Sequence, residues 1–73
     1  TQEILVEMED TPELQAQFDA LLQSHNGQVV ESSLSRDEGY LRMEITAKLE
    51  PPITHDEALA FMKDNSGVRK VSV

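Results

Sequence analysis

Tyr40-Leu41-Arg42-Met43-Glu44-Ile45-Thr46-Ala47-Lys48-Leu49-Glu50 is the stretch that decides the fold. Leu41, Met43, Ile45, Ala47 and Leu49 fall on one side of an extended chain, and Tyr40, Arg42, Glu44, Thr46 and Lys48 on the other. Successive side chains of a strand point to opposite faces. This period of two therefore describes a strand with one face in a core and the other in water or against a partner. Pro51-Pro52 closes it, because proline cannot donate to a ladder.

Upstream, the polar run Arg36-Asp37-Glu38-Gly39 predicts a hairpin turn back to a strand over Gln28–Ser35. In that strand Val30 and Leu34 are expected on one face and Val29 on the other. Asn26-Gly27 stops a preceding helix, with Gly27 expected in the left-handed position just past its end. The helix opens at Asp10-Thr11-Pro12-Glu13. Thr11 is suited to cap it, and Pro12 sits where a missing N–H costs nothing. Leu14, Phe18, Leu21, Leu22 and His25 then share one helical face. In Gln2–Glu9, Ile4, Val6 and Met8 alternate with Glu3, Glu7 and Glu9, a half-buried strand whose outer face carries one apolar residue, Leu5.

Downstream, Thr54-His55-Asp56-Glu57 reads as a capping box, with Ile53 placed to pack on Ala58. Ala58, Leu59, Phe61 and Met62 are expected to form the buried face of a second helix. Asn65-Ser66-Gly67 ends it. Val68–Val73 makes a last strand with Val71 and Val73 on one face. The order is β-α-β-β-α-β within one domain spanning 1–73. That order predicts an α+β, ferredoxin-like plait: a four-stranded antiparallel sheet with two helices on one face. The expected core is Ile4, Val6, Phe18, Leu21, Leu41, Met43, Ile45, Leu59, Met62 and Val71.

Composition bounds the function. At 73 residues the chain buries a modest core, and with no cysteine it has neither disulfides nor thiolate metal sites to reinforce it. Oligomerisation or attachment to a larger body is the remaining helper. The chain begins at Thr1 and enters a strand almost at once, so a piece of a longer protein is expected. The net charge of −8 repels nucleic-acid phosphates and anionic membranes, and no apolar run is long enough to insert into a bilayer. A single aromatic, Tyr40, lies in any strand, whereas RNA-binding plaits stack bases on several.

Chemistry-bearing residues are few. His25 and His55 stand at helix ends without a serine partner, so no catalytic residue is expected. His25 reads as a last-turn residue where a cation is favourable, and His55 as a solvated first-turn residue. Glu7, Glu9, Asp10 and Glu13 cluster in sequence, as do Asp37, Glu38, Asp56 and Glu57, but neither group has the spacing of a calcium loop. Strand-face placement and helix capping account for them. No metal and no cofactor are expected.

The run Met8-Glu9-Asp10-Thr11-Pro12-Glu13-Leu14 resembles the signature that leads from the first strand into the first helix of ACT domains. Gly67-Val68-Arg69-Lys70-Val71 is similar to the Gly-Val-x-x-Val of their last strand, and the resemblance covers nearly the whole chain. It implies a non-catalytic, cytoplasmic module that regulates or assembles a larger protein, paired as a homodimer. In the sensing members it implies an amino-acid site at Asp10, Thr11, Pro12 and Glu13, controlling a biosynthetic enzyme. Glu13 stands where that site has a glycine, and its side chain would crowd the ligand. ACT-like domains without that glycine form soluble tails of membrane proteins of the MgtC/SapB family, linked to magnesium homeostasis. The resemblance therefore favours an assembly module over a sensor.

Overall fold

In the computed structural model, which describes residues 1–73, the predicted order is the observed one. The elements are β1 (Gln2–Glu9), α1 (Pro12–Ser24), β2 (Gln28–Asp37), β3 (Tyr40–Lys48), α2 (His55–Asp64) and β4 (Val68–Ser72). They form one antiparallel sheet in the order β2-β3-β1-β4. This is the α+β, ferredoxin-like arrangement.

Register explains the core. Ile4, Val6 and Met8 of β1 lie opposite Ile45, Met43 and Leu41 of β3, so two apolar rows meet on one sheet face. Val71 lies opposite Val6 and Val68 opposite Met8, extending those rows into β4. Both helices cover that face. Phe18 of α1 and Phe61 of α2 meet edge to face, ring centres 6.0 Å apart, a favoured aromatic geometry. Phe18, Leu22, Ile53 and Phe61 close over the strands, with Leu14, Leu21, Met43, Met62 and Val71 half-buried around them.

Five local readings need correction. Leu59 is 47% exposed rather than buried. Ala58, Phe61 and Met62 cluster on the face of α2 nearest the sheet. At 100° per residue, Leu59 is turned a quarter of the circumference away. In β2 a bulge between Val29 and Glu31 inserts Val30. The extra residue reverses the alternation, so Val29, opposite Ala47, shares the helix-side face with Leu34, opposite Met43. The hairpin turn is only Glu38-Gly39, both at positive φ, as two-residue turns that match strand twist require. β2 therefore runs on to Asp37. β3 ends at Lys48 rather than Glu50, although Leu49 still packs on the core.

The fifth correction is the end of α1. Asn26, not Gly27, takes the left-handed conformation, with φ of 55°. The Gly27 N–H donates to the Leu22 carbonyl at 2.8 Å and the Asn26 N–H to the Gln23 carbonyl at 3.0 Å, a Schellman closure. Gly27 is required for space, because a Cβ there would lie 2.7 Å from the Leu22 carbonyl oxygen.

Phe18→Ala empties the centre of this core and is expected to destabilise the domain by about 3–5 kcal/mol. Leu59→Ala, at an exposed site, should stay within about 0.5 kcal/mol of the parent. Urea denaturation followed by circular dichroism measures both. Equal losses for the two variants would contradict the assigned helix faces.

Candidate functional site

The β1–α1 connection, where the resemblance placed a ligand, is closed upon itself. The Thr11 hydroxyl accepts from the Leu14 N–H at 3.2 Å, as its capping role predicts. Glu9, Asp10 and Thr11 donate their N–H groups to the carbonyls of Gly67, Gly39 and Glu9 at 2.9, 2.9 and 3.0 Å. Asp10 uses both carboxylate oxygens, one accepting from Gln15 Nε2 and the other from Arg36 Nε, each at 2.8 Å. Pro12 and Glu13 are exposed at the start of α1. Sequence reasoning placed no cation here. Arg36 arrives from the far end of β2, 26 residues along the chain, and no local signal pointed to it.

The acidic residues adjacent in sequence part in space. Glu7 lies in register with Arg42 on β3 and Lys70 on β4, and Asp10 turns to Arg36. No three His, Asp or Glu side chains converge as metal ligands do. No helix is long and apolar enough to cross a membrane.

The helix-free face of the sheet carries an open trough of about 1010 Å³ across all four strands. Glu3, Leu5, Glu31, Ser33, Glu44 and Thr46 line it, with no lysine or arginine.

His25 is the one buried polar side chain, and it joins three parts of the chain. It stands at the C-cap of α1 on the same helical face as Phe18 and Leu22. Its Nδ1 lies 2.6 Å from the Pro51 carbonyl oxygen and its Nε2 2.5 Å from Glu57 Oε2. Both partners are acceptors. A neutral imidazole has one N–H and can satisfy only one of them, whereas imidazolium donates to both. The Pro51 carbonyl is the main cause that raises the His25 pKa above 6.5; burial opposes it, and the Glu57 carboxylate adds to the rise. Glu57 is the capping-box residue as expected, its Oε1 accepting from the Thr54 N–H at 3.2 Å. That N–H is the main cause lowering its pKa below 4.5, and His25 lowers it further. The apolar spacing from Phe18 and Leu22 was the one signal in the sequence that His25 is buried; its two partners were not legible.

Set against protein-family models and curated proteins, the chain matches none.

The two titrations give opposite slopes. His25 has a raised pKa, so its stabilisation is complete below pH 6.5 and is lost as pH climbs through the folded value. Glu57 has a lowered pKa, so its contribution is complete above pH 4.5 and is lost as pH falls through the folded value. Urea unfolding across pH should therefore show greatest stability between 4.5 and 6.5. His25→Gln should flatten the alkaline decline. A decline that persists unchanged in that variant would remove His25 as its source.

Proposed function

We propose that the chain is a non-catalytic regulatory or assembly domain of a larger protein, working by self-association in the manner of an ACT-like module. The observation that carries this is β2, whose ten residues are all exposed although it belongs to the sheet of a small domain. Val29, Val30 and Leu34 on that strand are 49%, 57% and 48% exposed. A chain of this size, without cysteine, gains from burying such surface against a second copy. Attachment to a membrane protein of the MgtC/SapB type, on its cytoplasmic side, is the setting that this proposal favours.

The β1–α1 connection weighs against the amino-acid sensor. A ligand carboxylate seeks free N–H groups at a helix start. At the start of α1 the Leu14 N–H is held by the Thr11 cap, and Glu13 adds like charge beside it.

Sedimentation velocity over a protein and salt series tests the proposal. The net charge of −8 opposes close approach of two copies, so association should strengthen as salt screens it. A monomer at millimolar protein and high salt would falsify self-association. In parallel, amide shifts of residues 9–14 should stay constant during titration with a panel of amino acids. Saturable shifts confined to that segment would restore the sensor.

A further inference from the structure

His25 is held in a way that one charge state alone satisfies. Its Nδ1 lies 2.6 Å from the Pro51 carbonyl oxygen and its Nε2 2.5 Å from Glu57 Oε2, so both ring nitrogens face acceptors. Imidazolium donates at both, whereas a neutral ring turns a lone pair toward one of the two oxygens. Two lone pairs do not stay at hydrogen-bond distance. The ring has little room to turn away, because its side chain is only 7% exposed. Loss of the proton therefore has to move an acceptor, and the two acceptors differ in freedom.

Pro51 is fixed from both sides. Glu50 before it donates its N–H to the His25 carbonyl at 2.8 Å, and its own carbonyl accepts from Asn26 Nδ2 at 2.9 Å. Ile53, two residues on, is buried, and both its N–H and its carbonyl are bonded to the Gln2 side chain. Glu57 Oε2, by contrast, ends a flexible side chain that is 39% exposed, so water is an alternative partner for it. Its release does not undo the helix start, since the Glu57 N–H donates to Thr54 Oγ1 without using the carboxylate. The carboxylate is the movable part.

We propose that His25 is a proton-operated latch between the two helices. Protonated, it ties the end of α1 to the first turn of α2 through Glu57. Neutral, it keeps the Pro51 carbonyl through Nδ1–H and lets the Glu57 side chain go to water, with the rest of the fold intact. The latch stands apart from the self-association proposed above and gives the domain a conformational response to pH.

The charges around the ring leave Glu57 as its one ionic partner. On α2, His55 and Asp56 share the first turn but are exposed. The β3–α2 connection brings the Pro51 carbonyl, with Lys48 and Glu50 exposed beside it. β1 brings Gln2, which is uncharged. α1 has no basic residue in its last turn, and Asp19 on it is exposed. The Pro51 carbonyl first, and Glu57 after it, hold the His25 pKa above 6.5 against the opposing effect of burial. The latch is therefore closed on the acid side of the folded pKa and opens as pH rises through it.

Nitrogen-15 and carbon-13 NMR of the full chain across pH reads each part of the latch. Below the His25 midpoint both ring nitrogens should carry a proton. Above it Nε2 should lose its proton and Nδ1 keep it. The Glu57 Cδ resonance should step at the same midpoint, while the amides of Leu41–Ala47 hold still. Glu57→Gln supplies the second arm, and circular dichroism checks that it folds. Its carboxamide still accepts from Thr54, as glutamine does in capping boxes, and adds a donor for the neutral Nε2. The neutral ring is then satisfied at both nitrogens, so the His25 midpoint should move toward acid. Four results overturn the proposal. A proton kept on Nε2 instead of Nδ1 assigns the movement to Pro51. A Glu57 Cδ that ignores the ring titration removes the latch. Strand amides that follow the ring make the event global unfolding. A midpoint that Glu57→Gln leaves in place removes the coupling between ring and carboxylate.

Discussion

Val6 and Met8 have no exposed surface, and the rest of the structure is arranged to keep them so. Both lie on β1, a central strand paired on one side with β3 and on the other with β4, under the helices. Burial of such side chains is worth roughly 1.5–3 kcal/mol each. In a domain this small their concentration on one strand fixes where the core must be. β4 and β3 are one strand away from β1 and contribute Val68, Leu41, Ile45 and Ala47 to the core. β2 is two strands away, roughly 10 Å at usual strand spacing, and contributes no buried residue. The exposed edge is thus a consequence of a core centred on β1.

Loops follow from the same requirement. The turn after α1 must deliver β2 beside β3 while leaving His25 over Pro51 and Glu57. The Schellman closure through Asn26 and the close passage at Gly27 do this within three residues. Glu57 serves two helices at once, capping α2 through Thr54 and holding His25 at the end of α1. Gln2 completes the arrangement, because its side chain both donates to the Ile53 carbonyl and accepts from the Ile53 N–H, at 2.8 and 2.9 Å. The loop before α2 is thereby fixed to the start of β1, although 51 residues separate them.

The fold was legible wherever a local rule acts alone. The alternation of Leu41 to Ala47, the Thr11 cap and the Thr54–Glu57 box stand in the structure as the sequence predicts. The misplacements arose where two elements compete. Val30 belongs to a bulge, and one inserted residue inverts every face assignment before it. Leu59 is apolar and helical, yet Phe61 and Ala58 set the angle of α2 and leave it on the flank. At the candidate loop, the sequence displayed Asp10, Thr11, Pro12 and Glu13 but not Arg36, because that partner is brought in by the β2–β3 hairpin. The clasp at His25 was hidden for the same reason: its acceptors lie 26 and 32 residues away.

An edge strand with no buried residue, few charges and three exposed apolar side chains is the feature on which the functional account turns. Amide hydrogen exchange measured at increasing protein concentration reads that edge directly, strand by strand. The account predicts that amides of Gln28–Asp37 become protected as concentration rises in high salt. Exchange of the β2 amides that is independent of concentration up to the millimolar range would contradict it.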